Sequence, residues 1–164
     1  TYGHGGVSAS AAGRYVSVVT ETDPPRSHTW RQINQPQATD IDALGHVNNV
    51  IQLRWAQDLA TAHWMALASA EMQERFVWVV TRHEIDYRAE IRLEDEVTGV
   101  TYVDAAARGP LFGRTVELLL PGRTKPATVV RSSWCLVDAA SRRPMRVPPH
   151  VVAVFWPSSS GEEG

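Results

Sequence analysis

The feature that most constrains this fold is residues 48–70, which contain neither glycine nor proline and are rich in residues that favour helices. Apolar residues recur at helical spacing, at Val50, Leu53, Ala56, Ala60, Trp64 and Leu67. Other apolar residues lie between these positions, which predicts a helix covered on several sides. The remaining residues must therefore supply that cover.

Most of the chain after this helix favours β-strands. Four segments are rich in β-branched and apolar residues, at 76–91, 96–107, 111–120 and 127–138. Residues 28–35 predict a short strand before the helix, and residues 151–155 predict a last strand or a short helix. One long helix followed by a meander of strands predicts an α+β domain, with a curved antiparallel sheet around the helix.

The 164 residues predict one folded domain, at residues 27–156. Residues 1–26 predict a peripheral segment, because they are rich in small residues and contain the Asp23-Pro24-Pro25 step. They lack the basic start and apolar stretch of a secretory signal. Residues 157–164 predict a polar tail.

Composition excludes several classes of function. The net charge of −2 does not favour a nucleic-acid partner. No apolar run reaches the roughly 18 residues of a membrane span, and the single cysteine excludes an internal disulfide framework. That residue, Cys135, lies within a predicted strand, so we expect a buried and unreactive thiol.

One segment concentrates polar side chains immediately before the helix: Asp40-Ile41-Asp42-Ala43-Leu44-Gly45-His46-Val47-Asn48-Asn49. One interpretation is a helix cap, with Asn48 or Asn49 as N-cap and the aspartates beside the positive helix end. The other is an oxyanion site formed by backbone N–H groups at the helix start. Asp42 would then be a base or nucleophile, and Gly45 would let substrate approach the backbone. Spacing alone leaves both open.

This segment, continued through Leu53-Arg54-Trp55, resembles the active-site loop and helix start of hotdog-fold acyl thioesterases, both the 4-hydroxybenzoyl-CoA thioesterase-like proteins and the plant acyl-ACP enzymes. A second stretch is similar to the strand after the central helix of the acyl-ACP enzymes: Glu84-Ile85-Asp86-Tyr87-Arg88-Ala89-Glu90. The resemblance implies a long helix wrapped by an antiparallel sheet. It also implies hydrolysis of an acyl-CoA or acyl-carrier-protein thioester, with no metal and no redox cofactor.

The resemblance assigns site residues one by one. Asp42 matches the catalytic carboxylate, and the N–H that polarises the thioester carbonyl falls at Asn49. His46 and Glu90 match two further site positions of the acyl-ACP enzymes. Leu44 stands where those enzymes have asparagine, and Gln52 replaces a tyrosine common in the family.

Substrate binding is predicted at Gly45 and Asn48 in the loop and at the basic cluster of Arg142, Arg143 and Arg146. The cluster is either a solvated turn or a contact for coenzyme A phosphates or an acidic carrier protein. The resemblance further implies a homodimer, or a tetramer built from two dimers, and we expect a cytoplasmic enzyme.

The sequence leaves two other functions open: a hotdog hydratase or dehydratase, and an acyl-thioester-binding protein without turnover.

For the remaining polar candidates we expect structural roles. His83 and Glu84 point to opposite faces of a strand, so they do not act together, and His63 is expected to be an ordinary helix residue. The six tryptophans predict core or interface packing.

Overall fold

The computed structural model describes residues 28–104 and 107–156. The five strands are β1 (Trp30–Asn34), β2 (Phe76–Tyr87), β3 (Val97–Val103), β4 (Leu111–Leu119) and β5 (Thr128–Asp138). The α-helices are α1 (Asn49–Leu67), α2 (Ala70–Arg75) and α3 (Pro149–Phe155), and a 3-10 turn spans Ala38–Asp40. The predicted peripheral segment, 1–26, and the predicted tail, 157–164, lie outside the described residues.

The strands form one antiparallel sheet in the order β1-β3-β4-β5-β2. The register of β2 against β5 runs from Phe76 opposite Asp138 to Tyr87 opposite Thr128. Among the described strands, β2 pairs only with β5, so it forms an edge of the sheet. The arrangement confirms the predicted α+β fold, a curved antiparallel sheet with one long helix.

Helix α1 buries one face. Its buried residues follow one another at intervals of three and one: Gln52, Trp55, Ala56, Leu59, Ala60, His63 and Trp64. The expectation that the helix is covered on several sides is wrong for the single chain, since Val50 is 70% exposed and Met65 is 54% exposed. One sheet can cover only the side of a helix that faces it.

Several element ends differ from the predictions. Helix α1 ends at Leu67 instead of residue 70, because Ala68 is extended and Ser69 caps the unpredicted helix α2. Strand β2 ends at Tyr87, since the next two N–H groups both donate to the Ala127 carbonyl and leave the regular ladder. Strand β3 is likewise shorter than residues 96–107, and the last apolar piece is the helix α3.

The core has two parts along α1. The first surrounds the N-terminal half of the helix and includes Trp55, Leu59 and Val130, and the second surrounds Trp64, Phe112 and Phe155. Cys135 is buried, as predicted. None of the described helices is long and apolar enough to cross a membrane.

Candidate active site

The loop that leads into α1 is a short, tightly hydrogen-bonded hairpin. Ile41 and Val47 form an isolated antiparallel bridge, and the Asp42 N–H donates to the His46 carbonyl at 2.8 Å. Gly45 closes the turn by donating to the Asp42 carbonyl at 3.0 Å. Its φ of +81° is a conformation in which a side chain is strained, so glycine suits this position.

The Asp42 carboxylate is half-buried and has two unequal oxygens. Oδ1 accepts the backbone N–H groups of Leu44, at 2.9 Å, and His46, at 3.3 Å. Oδ2 accepts no hydrogen bond from the described residues. One oxygen therefore fixes the side chain, and the other can receive a proton or attack an electrophile.

Asp40 has a different environment from Asp42. It is 6% exposed, and its Oδ2 accepts the Gln37 N–H at 2.9 Å. Its Oδ1 lies 3.5 Å from the Arg54 guanidinium, and its carbonyl accepts the Asn48 N–H at 2.8 Å. These contacts tie the 3-10 turn to the start of α1, so Asp40 holds the loop in place.

The start of α1 combines a cap with an available N–H donor. The Asn48 side chain accepts the Val50 N–H at 2.9 Å, which satisfies one of the first-turn donors. Ile51 donates to the Asn48 carbonyl at 3.0 Å. The N–H of Asn49 has no acceptor among the described residues, and Asn49 is exposed. The cap and the oxyanion interpretations are thus compatible, because they use different groups.

His46 and Glu90 are brought together from separate parts of the chain. His46 Nε2 lies 3.0 Å from Glu90 Oε2, and the Arg92 guanidinium binds the same oxygen at 3.0 Å. The Arg92 hydrogen bond, and next the charge of His46, lower the pKa of Glu90. The Val47 N–H donates to the Ile91 carbonyl at 2.8 Å, which holds the two segments side by side.

Gln52, which stands in place of the family tyrosine, is buried. Its side chain donates to the Val47 carbonyl at 3.1 Å and accepts from the Thr128 hydroxyl at 2.5 Å. It therefore joins the loop to the sheet beneath the helix start. Leu44, the other departure, is 79% exposed.

Two residues near the site carry interactions that the sequence did not predict. The Tyr87 hydroxyl donates to the Asn49 carbonyl at 3.2 Å, and partial burial raises the pKa of Tyr87, so the hydroxyl keeps its proton. Arg92 binds Glu90 as described above. Tyr87 lies within the family-like stretch at residues 84–90, and Arg92 lies two residues beyond Glu90. Apart from this proximity to the family-like stretch, the sequence gives no sign that Tyr87 or Arg92 contacts the site.

The basic cluster of Arg142, Arg143 and Arg146 is not brought to this loop within one chain. All three residues are exposed and follow Asp138, at the end of β5 opposite Phe76. The loop lies near the other end of β2, where the Tyr87 hydroxyl reaches Asn49. Ten residues of β5 separate the two ends, which corresponds to roughly 33 Å.

The other polar candidates form their own contacts. His83 bonds to the Ser132 hydroxyl at 2.7 Å, and Glu84 pairs with Arg82 at 3.0 Å, so the two neighbours do face different partners. His63 is fully buried in a polar network, so it is not the ordinary helix residue that was predicted. Among the described residues, no group of three or more His, Cys, Asp or Glu side chains could hold a metal ion.

Comparisons with known proteins agree with this architecture. The family model of the thioesterase-like superfamily matches residues 36–155. The chain is similar to a thioesterase from Thermus thermophilus complexed with coenzyme A and Zn, with 22% identity, a TM-score of 0.66, and coverage of 76% of this chain and 90% of that one. A comparison with curated protein sequences finds no match.

Two further solved structures have the same fold at lower identity. A 1,4-dihydroxy-2-naphthoyl-CoA thioesterase from Synechocystis is 14% identical, with a TM-score of 0.65 and coverage of 77% and 95% of the two chains. A 4-hydroxybenzoyl-CoA thioesterase mutant complexed with 4-hydroxybenzoyl-CoA is 13% identical, with a TM-score of 0.69 and coverage of 77% and 98%. These likenesses confirm the predicted hotdog fold.

Proposed function

The chain belongs to the thioesterase-like superfamily and is a thioester hydrolase, as predicted, and we propose that it cleaves acyl-coenzyme A with Asp42 as the reacting carboxylate. The reaction adds water to the thioester carbonyl and releases a carboxylic acid and the free thiol. One observation carries the proposal. Among the described residues, the loop holds Asp42 by one oxygen and offers no donor to the other, and the first N–H of the helix that follows has no acceptor.

Asp42 can act by either of two routes. As a general base, Oδ2 takes a proton from water while the water oxygen attacks the carbonyl carbon; the C–S bond then breaks, and the leaving thiolate takes up the proton. As a nucleophile, Oδ2 attacks that carbon itself, the thiolate leaves, and water then hydrolyses the resulting anhydride. The two backbone N–H groups on Oδ1 hold the carboxylate in one orientation, so that Oδ2 stays available for either route.

The N–H of Asn49 is proposed as the oxyanion donor. The thioester oxygen gains negative charge when the carbonyl carbon becomes tetrahedral, and a donor at a helix start stabilises that charge. Capping by Asn48 supports this role, because it occupies the next donor and keeps the first turn in place. Gly45 and Asn48 accordingly border the bound thioester.

His46 and Glu90 are proposed to orient the attacking water or the substrate. Their pairing at 3.0 Å and their exposure, 31% and 52% of the side chains, leave both accessible from solvent. The His46 backbone N–H also donates to Asp42, so a shift of His46 would disturb the reacting carboxylate. Both are positioning residues in this scheme.

We propose that the working enzyme is a homodimer, or a tetramer of two dimers. The edge strand β2 exposes Val77 and Val79, at 44% and 46%. Unpaired strand edges with apolar side chains favour pairing with another chain. Antiparallel pairing of two β2 edges about their centres would put Phe76 of one copy opposite Tyr87 of the other. Sedimentation that gives a stable monomer at micromolar concentration would contradict this arrangement.

The same dimer gives the basic cluster a role. The end of β5 that leads to Arg142, Arg143 and Arg146 lies beside Phe76, so pairing through β2 would bring the cluster of one copy toward Asn49 of the other. Arginine forks suit the phosphates of coenzyme A. We propose a cytoplasmic location as well.

The test is thiol release from a panel of saturated acyl-CoAs, an aryl-CoA, an enoyl-CoA and an acyl carrier protein. We expect thiol release from at least one CoA ester and little from the carrier protein. Hydration of the enoyl ester without thiol release would indicate a hydratase, and binding of acyl-CoA without thiol release would indicate a binding protein. Faster cleavage of the carrier-protein substrate would overturn the assignment to coenzyme A esters.

A further inference from the structure

A cavity of about 230 Å³ lies beside the C-terminal half of α1. Residues of α1, β2, β4 and α3 contribute to its walls. Its walls are dominated by aromatic rings, those of Trp64, Phe76, Trp78, Phe112, Trp134 and Phe155. Among the described residues of the lining, Arg114 alone carries a charged side chain.

Arg114 is unusual for a charged residue because it is only 7% exposed. Its Nη1 contacts His63 Nδ1 and the Thr101 hydroxyl, both at 3.0 Å, and its guanidinium lies 5.5 Å from the centre of the Phe155 ring. Nε and Nη2 have no acceptor among the described residues. Burial lowers the pKa of Arg114 to about 10, so the side chain remains a cation at neutral pH.

No described group neutralises this cation. Burial, together with the charge of Arg114, lowers the pKa of His63 to about 2, so the imidazole is neutral and serves Arg114 as an acceptor. The Asp104 carboxylate lies against Gly113, yet no carboxylate among the described residues forms an ion pair with Arg114. An uncompensated buried charge is costly, which favours a site that an anion can complete.

The cavity wall adds further donors. Two further wall residues, Trp78 and Trp134, have buried indole N–H groups without a partner among the described residues. Buried donors of this kind are uncommon in folded proteins. A cation with unpaired N–H groups in an apolar, aromatic wall selects a ligand with an acceptor anion on an apolar body.

We propose that this cavity binds an aromatic monocarboxylate, with its carboxylate on Arg114 and its ring against the aromatic walls. An apolar cavity of roughly 150 Å³ suffices for benzene, so this one has room for one ring and a carboxylate. Aromatic walls favour an aromatic body through stacked and edge contacts. The assignment is independent of the proposed function, because residues 60–64 lie about 16–22 Å along α1 from Asn49.

The experiment is isothermal titration calorimetry of the full chain with benzoate and with benzamide, at matched ionic strength. The two ligands have nearly the same shape, and only benzoate is charged. We expect saturable binding of benzoate, at least about 10-fold tighter than benzamide, since a hydrogen bond to a charged group is the stronger kind. Equal affinities, or no saturable binding of benzoate up to about 10 mM, would overturn the proposal.

Three variants locate the ligand. Arg114→Met keeps an unbranched, apolar stem and removes the charged guanidinium, and should weaken benzoate binding by at least about 10-fold. Arg123→Met, a matched change of an exposed arginine, and Asp42→Asn, at the candidate active site, should bind benzoate as the unmodified protein does. Unchanged binding in a folded Arg114→Met variant contradicts the assignment. If that variant does not fold, the benzoate-to-benzamide ratio of the unmodified protein decides.

Discussion

The two halves of α1 lie beside two candidate sites of opposite character. At its N-terminal end, polar groups are accessible and apolar side chains such as Leu44 and Val50 are 79% and 70% exposed. Beside its C-terminal half, Arg114 is 7% exposed within a mainly apolar wall, and its partner His63 is 0% exposed. Charged groups at the candidate active site, such as Glu90, remain accessible to water. At the second site the fold itself removes water from a cation, so only a complementary ligand restores its partners.

The largest expected effect separates Asp42 from Asp40. Asp42→Asn removes the negative oxygen and should lower kcat by at least about 100-fold, or about 2.7 kcal/mol of transition-state stabilisation. Asp40→Asn should keep most of the rate and lower the melting temperature, because Asp40 is buried and holds the loop. Steady-state thiol release and thermal melts on both variants measure this. An Asp42 variant within a few-fold of the unmodified rate would assign the chemistry to another residue.

The second prediction concerns stability at the buried half of α1. The pKa of His63 is about 2 in the folded protein and about 6.5 when unfolded. Below the unfolded pKa, only the unfolded chain takes up this proton, so stability falls as pH falls from 7 to 5. The expected loss is about 2 kcal/mol. Carboxylates with lowered pKa values, such as Glu90, lose their contribution at lower pH than this window.

Urea unfolding at pH 7, 6 and 5 measures this dependence. His63→Gln retains an acceptor for Arg114 and should remove most of the loss between pH 7 and 5. His150→Gln, which changes an exposed histidine, is the control and should leave the dependence intact. The same slope in the His63 variant would contradict a neutral buried imidazole.

A smaller effect is expected from the orienting pair. His46→Ala and Glu90→Gln should each lower kcat by about 10- to 100-fold, with little change in melting temperature because both side chains are substantially exposed. Glu84→Gln is the matched control, since Glu84 pairs with Arg82 and touches no site residue. Full activity of both variants would leave Asp42 and the helix start as the whole of the reacting site.

The smallest effect belongs to the basic cluster. Replacing Arg142, Arg143 and Arg146 by alanine should raise KM for CoA esters by about 3- to 10-fold with kcat unchanged, as loss of uniform binding predicts. The effect should shrink as salt is added. An unchanged KM at low salt would indicate that the cluster is a solvated turn. It would also contradict the proposal that the arginines of a second copy bind the substrate.

Short-range patterns predicted the elements of this fold well. The helix and the four later strands follow from propensity and alternation, which act between residues close in sequence. The element ends were less accurate. For example, strand β2 ends at Tyr87 because the N–H groups of Arg88 and Ala89 both donate to the Ala127 carbonyl. That contact joins residues that are distant in sequence.

For the site, the sequence by itself determined the loop from Asp40 to Asn49, because its cap, turn and carboxylates lie within ten residues. Family resemblance pointed to His46 and Glu90 as separate site positions, and their pairing at 3.0 Å appears only in the structure. Tertiary structure alone decided which face of α1 is buried, that His63 meets Arg114 across 51 residues, and that the basic cluster lies at the far end of β5. The physical reason is register: strand pairing sets which distant side chains meet, and no local propensity encodes it.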